Sequence, residues 1–216
     1  MELEGLKIAF LGDSITEGVG ASTYDKVYHQ VLKNNVGLEE VYNYGISGTR
    51  IARQSTPSEI ESYDKHFATR LDEMEPNCDI VVIFGGTNDH GHGDASFGEF
   101  NDRSDGTFYG ALHNLLQRIV EKYPEKQIVC VTPLHRIGDS KLSSKPDGEY
   151  ILRDYVNAIC EVAEHYSIPV LNLYAVSGMN PNVEVQRHIY FPDGIHPSDK
   201  GHERIAQKLE NFLRTL

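Results

Sequence analysis

Apolar residues fall into five short runs, which are separated by longer stretches with helical spacing. Most of these runs are nearly continuous in Val, Ile, Leu and Phe, as expected for parallel strands that are covered on both faces. The runs predict five strands, at residues 6–11, 39–43, 80–84, 127–132 and 169–173.

Between and after the strands, apolar residues recur every three or four positions, which predicts amphipathic helices. Three such stripes are clear: Leu112, Leu115, Leu116, Ile119 and Val120; Ile151, Val156, Ile159, Cys160 and Ala163; and Ile205, Leu209 and Phe212. Alternation of strands and helices favours a parallel sheet with helices on both faces. We therefore predict one α/β domain over residues 1–216, a three-layer α/β/α sandwich around a five-stranded parallel sheet.

Charge and hydrophobicity indicate which kinds of molecule the protein binds and where it is located. The chain has 20 Lys and Arg residues against 32 Asp and Glu residues, so its formal net charge is −12. This charge repels nucleic acid and favours a neutral or cationic small substrate. No apolar run approaches the ~20 residues that a membrane-spanning helix needs, so we expect no stable membrane insertion. The first residues lack the basic flank of a signal peptide, which predicts a cytoplasmic location.

Three long polar loops, at 85–106, 133–148 and 174–197, each follow a predicted strand. They therefore emerge at the carboxyl edge of the sheet, where open α/β folds bind ligands. Loops of this length in a compact domain are usually functional. The turn at residues 12–14 follows the first strand and opens at the same edge.

Ser14 lies at this first turn, between a predicted strand and the start of a helix. A serine becomes a nucleophile when a base removes its proton and a third group holds that base in the right tautomer. Near the other end of the chain, His196 can be the base, and Asp193 is close enough in sequence to orient it. The alternative is that Ser14 only caps a helix and that the other two residues belong to a surface turn.

A tetrahedral acyl-transfer intermediate also needs hydrogen-bond donors for its oxyanion. Gly48 follows the second strand and can bring a backbone N–H close to a ligand, while Asn88 follows the third strand and offers a side-chain amide. Taken singly, each could be an ordinary turn residue. The segments that carry Ser14, Gly48, Asn88 and the pair Asp193 and His196 are all expected at one edge of the sheet. Such a combination is much less expected by chance than any one of these residues alone.

These segments resemble the four sequence blocks of the SGNH hydrolases, the GDSL-type esterases and lipases. The blocks are Gly-Asp-Ser-Ile-Thr-Glu-Gly at 12–18, the segment 43–48, Gly-Gly-Thr-Asn-Asp at 85–89 and Asp-Gly-Ile-His-Pro at 193–197. The match covers nearly the whole chain in block order and spacing. Ile15 replaces the usual Leu, a common departure in this family. No GxSxG elbow is present, which argues against the other large serine-esterase fold.

The resemblance implies a flavodoxin-like SGNH hydrolase fold and assigns roles to five residues. Ser14 would be the nucleophile, with Asp193 and His196 as the remaining catalytic residues. The backbone N–H groups of Ser14 and Gly48 and the side chain of Asn88 would form the oxyanion hole. No cofactor is implied.

We therefore predict a serine esterase that hydrolyses carboxylic esters through an acyl-Ser14 intermediate. Its partner would be a small-molecule ester. The polar loops at 89–105 and 135–149 favour short acyl groups, such as acetyl, on a polar alcohol such as a carbohydrate. Two alternatives stay open: a lysophospholipase or thioesterase that takes longer acyl chains, and a non-catalytic α/β module that binds a small anion.

Other polar residues carry weaker predictions. Asp13, Asp89 and His90 lie in or beside these sequence blocks and are candidates for substrate contacts. The histidines at 90 and 92 could suggest a metal site, but a glycine-spaced loop at the active-site rim is the simpler account, and we expect no metal. Histidines within helical patterns are expected at the surface: His29, His66, His113, His165 and His202.

Overall fold

The computed structural model describes residues 1–216 and contains one five-stranded parallel sheet and one small antiparallel hairpin. The strands are β1 (Lys7–Gly12), β2 (Glu40–Gly45), β3 (Ile80–Phe84), β4 (Gln127–Val131), β5 (Ser143–Lys145), β6 (Gly148–Tyr150) and β7 (Val170–Leu171). The helices are α1 (Ser14–Glu17), α2 (Tyr28–Val36), α3 (Thr87–Gly91), α4 (Phe108–Lys122), α5 (Leu152–His165), α6 (Leu173–Val176), α7 (Glu184–Tyr190) and α8 (Asp199–Leu213). Short 3₁₀ helices lie at Tyr24–Lys26, Glu61–Asp64 and Phe67–Glu73.

The order of the large sheet is β2-β1-β3-β4-β7, and every neighbouring pair is parallel. This is the flavodoxin-like order of a doubly wound sheet, and it confirms the predicted fold class. The predicted strand ends are displaced by one or two residues at most positions. β7 is shorter than predicted, with only two paired residues at the edge of the sheet.

Apolar side chains pack on both faces of this sheet. Ala9 and Leu11 of β1 face the layer that contains α4 and α5, whereas Ile8 and Phe10 face the layer that contains α2 and α8. All four are fully buried. The central strands are therefore covered on both sides, which explains why the sequence shows continuous apolar runs instead of alternation.

The long loops contain structure that the apolar pattern does not predict. Strand β5 lies inside the loop at 133–148 and pairs in an antiparallel hairpin with β6, which begins at the last residue of that loop. Helix α7 lies inside the loop at 174–197. No helix of the chain is long and apolar enough to cross a lipid bilayer.

Candidate active site

The turn after β1 presents Ser14 at the carboxyl edge of the sheet. Gly12 is required there, because a Cβ atom on it would stand 2.0 Å from Oγ1 of Thr16. The side chain of Asp13 caps α1 by accepting a hydrogen bond from the backbone N–H of Ile15 at 3.0 Å. Ser14 is consequently the first residue of α1, with a side chain that is nearly buried but reaches a cleft.

The side chains of Ser14, His196 and Asp193 form a continuous hydrogen-bonded chain. Nε2 of His196 lies 3.0 Å from Oγ of Ser14, and Nδ1 of His196 lies 2.6 Å from Oδ2 of Asp193. The acceptor at Nδ1 is a carboxylate, so Nδ1 carries the proton and Nε2 accepts from the serine hydroxyl. The three residues that the sequence analysis selected thus meet in the geometry of a nucleophile, a base and an orienting acid.

The carboxylate of Asp193 is held in its ionised form. Partial burial disfavours its charge, but hydrogen bonds from His196 and from two backbone N–H groups outweigh burial and lower the pKa of Asp193. Those N–H groups belong to Ile195 and His196, and both donate to Oδ1, at 2.8 and 2.7 Å. Oδ2 is left to the imidazole, so the carboxylate fixes both the ring orientation and its tautomer.

Two further residues offer donors to the same cleft. The backbone of Gly48 is left-handed, with φ of +73°, and its N–H has no hydrogen-bond partner in the protein. A Cβ atom at this position would stand 2.4 Å from the ring of Tyr63, so only glycine fits. Asn88, on α3, donates one amide hydrogen to the carbonyl of Thr49 at 3.0 Å. Its second amide hydrogen stays available to a ligand.

A buried arginine that the sequence analysis missed supports this arrangement from behind. Arg70 donates to the carbonyl oxygens of Gly12 at 2.8 Å and Tyr44 at 2.5 Å, and to the hydroxyl of Thr49 at 3.2 Å. It is 2% exposed and has no carboxylate within ion-pair distance. Burial lowers the pKa of Arg70 to about 10, so it remains a cation at neutral pH. It therefore ties the serine turn to the loop that carries Gly48.

The cleft around Ser14 has a volume of about 360 Å³. Only three of its ten lining residues are hydrophobic. The wall comprises Ser14, Val19, Ser47, Gly48, Tyr63, Asn88, His92, Arg136, Ile195 and His196. Ser14, the predicted base His196 and the predicted oxyanion donors Gly48 and Asn88 thus line one space.

Three predicted substrate-contact residues lie outside this wall. Asp13 caps α1, as described, and Asp89 accepts hydrogen bonds from two backbone N–H groups of the segment 51–52, at 3.0 and 2.9 Å. Nε2 of His90 contacts the carbonyl oxygen of Lys141 at 3.1 Å. Burial raises the pKa of Asp13 and of Asp89 to about 6. In this structure all three hold backbone segments in place, and a direct substrate contact stays a prediction.

The segments that carry Ser14 and His196 are packed directly against each other. Gly20 has φ of +94°, and a Cβ atom on it would stand 2.3 Å from the carbonyl oxygen of Pro197. Next to this contact, the backbone N–H and the hydroxyl of Ser22 both donate to Asp199, at 2.7 Å each. The distance between Ser14 and His196 is therefore set by local contacts on both sides.

Two buried histidines extend this contact, and the expectation that they lie at the surface is wrong. His202 accepts a hydrogen bond from the backbone N–H of Tyr28 at 3.3 Å, and His29 donates through Nε2 to the carbonyl of Thr16 at 3.0 Å. Both side chains are fully buried, as is that of His113. Burial lowers the pKa of His29 and of His202 to about 4, so both are neutral at pH 7.

Comparison with known proteins agrees with this architecture. Residues 10–204 match the GDSL-like lipase/acylhydrolase family. A solved structure from Lactobacillus plantarum is 32% identical, covers 99% of this chain and 98% of its own, and superposes with a TM-score of 0.83.

Two more distant structures share the fold. An acetyl xylan esterase is 21% identical, with a TM-score of 0.67, and the match covers 96% of this chain and all of that one. A two-domain esterase active on acetylated mannans is 21% identical, with a TM-score of 0.62, and the match covers 98% of this chain and 50% of that one. None of the curated proteins matches this sequence.

Proposed function

Because the chain belongs to the GDSL-like lipase/acylhydrolase family, we propose that it hydrolyses carboxylic esters through an acyl-Ser14 intermediate. Membership of the family makes the protein an ester hydrolase. The hydrogen-bonded chain of Ser14, His196 and Asp193 is the observation that carries the proposed mechanism.

The proposed reaction begins when Oγ of Ser14 attacks the ester carbonyl while Nε2 of His196 takes the serine proton. Asp193 stabilises the imidazolium that forms. The oxyanion accepts hydrogen bonds from the backbone N–H groups of Ser14 and Gly48 and from the side-chain amide of Asn88. The intermediate collapses, and His196 returns the proton to the leaving alcohol. Water then attacks the acyl-serine, with His196 as base again, and releases the carboxylic acid.

We further propose that the substrates carry short acyl groups on a polar alcohol. The cleft offers few apolar side chains, so each added methylene of a long acyl chain would lack the burial that is worth ~0.8 kcal/mol. An acetylated carbohydrate is a natural candidate, since the two distant structural relatives named above act on acetylated polysaccharides. A long-chain lipase or thioesterase would need an apolar channel beyond this cleft.

The mechanism is tested by labelling with a fluorophosphonate, which phosphonylates an activated serine. We expect one adduct, located on Ser14 by peptide mass spectrometry and absent from the Ser14→Ala variant. Ser47→Ala is a matched control, because Ser47 lines the same cleft without a histidine partner. Labelling of Ser47 in place of Ser14 would refute the acyl-Ser14 mechanism, and no labelling would refute it and favour the anion-binding module instead.

The acyl preference is tested with 4-nitrophenyl esters from acetyl to octanoyl, beside acetylated sugars. We expect kcat/KM to be highest for acetyl and butyryl esters and to fall for acyl chains of about eight carbons, since the missing apolar contacts grow with each methylene. A rate that climbs steadily with chain length would identify the protein as an enzyme of long-chain esters or thioesters.

A further inference from the structure

Arg136 presents unused hydrogen-bond donors to the active-site cleft. It follows β4, is half-buried, and lines the cleft together with Ser14 and Asn88. Nη1 of Arg136 donates to the carbonyl oxygen and the hydroxyl of Thr87, at 3.2 and 3.3 Å. Nε and Nη2 have no acceptor in the protein. A guanidinium has five N–H donors, so most of its hydrogen-bonding capacity remains free.

No carboxylate neutralises this cation at close range. Three acids are near enough to act on Arg136 through their charge: Asp13, Asp139 and Asp193. Each of them already has another partner. Asp13 caps α1, Asp139 binds His135 at 2.5 Å, and Asp193 binds the imidazole of the base.

The local structure is shaped to hold Arg136 in place. Gly91 lies directly beside it, and a Cβ atom at Gly91 would stand 2.6 Å from Nη1 of the guanidinium. The carbonyl of Arg136 accepts hydrogen bonds from the backbone of Asp139 and the side chain of Asn182, at 3.2 and 3.3 Å. The next N–H along the chain donates to the carbonyl of Gly194 at 2.8 Å. The arginine is thus anchored before any ligand arrives, which lowers the entropic cost of binding.

The positive charge of the cleft resides on this one side chain. Arg50 approaches the cleft from behind, but it forms an ion pair with Asp64 at 2.9 Å. Partial burial, together with the nearby Arg50 and Arg136, lowers the pKa of His92 to about 4, so His92 is neutral at pH 7. The net charge of −12 favoured a neutral or cationic substrate, whereas the local charge of the cleft favours an anion.

We propose that Arg136 binds an anionic group of the substrate, either a carboxylate or a phosphate, so that the preferred esters are acidic molecules. The planar guanidinium suits both groups, because it can donate two parallel hydrogen bonds to either one. This inference rests on ester hydrolysis at Ser14. It adds that either the alcohol part or the acyl part of the substrate carries a negatively charged group.

The test compares neutral and anionic acetate esters of similar shape. Methyl 4-acetoxybenzoate is neutral, 4-acetoxybenzoate carries a carboxylate, and 4-acetoxyphenyl phosphate carries a phosphate. A second pair, 4-nitrophenyl butyrate and mono-4-nitrophenyl succinate, places the charge on the acyl side. The measured quantity is the ratio of kcat/KM for the anionic ester to that for its neutral partner, compared between variants so that intrinsic reactivities cancel.

We expect the wild-type protein to prefer at least one anionic ester, which identifies the kind and side of the charge. Arg136→Met should reduce the ratio for that ester roughly tenfold to a hundredfold, mainly through KM, the range for hydrogen bonds to a charged group. Arg136→Lys should keep part of the preference. Arg118→Met is the matched control, since Arg118 also donates to a backbone carbonyl, that of Ala68 at 2.9 Å, but lies outside the cleft.

An unchanged ratio in Arg136→Met would overturn the inference, as would a wild-type protein without preference for any anionic ester. Equal losses on neutral and anionic esters would show that Arg136 only supports Thr87 and the neighbouring Asn88. These results differ from failure of the proposed function, in which no ester is hydrolysed or Ser14→Ala retains full activity. Thermal unfolding of each variant identifies any that fails to fold.

Discussion

Replacement of Asn88 by alanine should separate transition-state stabilisation from substrate binding. Asn88 is 8% exposed, and one of its amide hydrogens is already bound to the carbonyl of Thr49 at 3.0 Å. That bond orients the amide, so that the other hydrogen is offered to the cleft. An oxyanion forms only in the transition state, and we therefore expect Asn88→Ala to act on kcat much more than on KM.

The expected magnitudes follow from the two hydrogen bonds that the variant loses. Loss of one oxyanion donor costs about 2.7–4 kcal/mol in other serine hydrolases, which corresponds to a fall in kcat of about 10²–10³-fold. Loss of the bond to Thr49 leaves a buried carbonyl unpaired and should lower the free energy of unfolding by about 1–3 kcal/mol. The variant should thus be less stable but still folded at 25 °C.

The assay is steady-state hydrolysis of 4-nitrophenyl acetate, with thermal unfolding measured on the same samples. Asn172→Ala is the matched control, since Asn172 also follows a strand of the sheet and accepts a hydrogen bond from the backbone of Ala175 at 3.1 Å. It does not line the cleft, so this variant should lose stability without a comparable loss of kcat. A change confined to KM, or a loss of kcat equal to that of the control, would refute the role of Asn88.

Three further predictions concern the groups around this site. Asp193→Asn should reduce kcat by about 10⁴-fold without changing the fold, because an amide no longer enforces the imidazole tautomer. Retention of activity in steady-state assays would contradict this role of Asp193. Arg70→Met should lower the free energy of unfolding, measured in urea, by about 3 kcal/mol, because two buried carbonyls and a hydroxyl lose their hydrogen-bond donor. Arg70→Lys should recover only part of that loss. If the methionine variant is as stable as the wild type, Arg70 does not stabilise the serine turn and the loop that carries Gly48.

The third prediction concerns pH. Burial lowers the pKa values of His29 and His202 from 6.5 to about 4. Between pH 6.5 and pH 4, therefore, these two imidazoles bind protons in the unfolded chain but not in the folded one. The folded state loses stability as the pH falls through this interval. Asp13 and Asp89, with pKa values raised to about 6, act in the opposite sense, because acidification relieves their buried charge. His202→Phe should therefore show a shallower loss of stability between pH 7 and pH 4.5 than the wild type in urea unfolding, and an identical pH dependence would contradict the assignment.

The sheet could be predicted from sequence because its strands are buried on both faces, where apolar composition is nearly obligatory. The hairpin of β5 and β6 could not, since its residues are polar and lie partly in solvent. The sequence analysis also missed α7, which has no buried residue; its two aliphatic side chains, Val185 and Ile189, are exposed. The prediction that His29, His113 and His202 lie at the surface failed for a different reason. A sequence does not distinguish a buried neutral imidazole from an exposed one, because the hydrogen-bond partner that allows burial is known only from the structure.

The candidate site was predictable where local turns carry the chemistry. Ser14 lies two residues after Gly12, Asp193 and His196 each lie next to a glycine or a proline, and the family resemblance joined these short motifs. The sequence analysis did not identify Arg70 and Arg136, because arginine is ordinarily exposed and nothing in the neighbouring sequence indicates that these two side chains are buried or half-buried. Their roles depend on acceptors that lie 21 to 58 residues away in sequence, and such pairings exist only in the folded chain.

The packing of residues 20–22 against 197–199 has a consequence for the time at which activity appears. Ser14 and its proposed base, His196, are 182 residues apart in sequence, so their contact closes one of the longest loops in the molecule. A chain with a completed sheet but an undocked α8 would hold a serine without a base, and would be chemically inert. Hydrolysis therefore reports the closure of this contact, and its recovery during refolding should not precede that of the sheet.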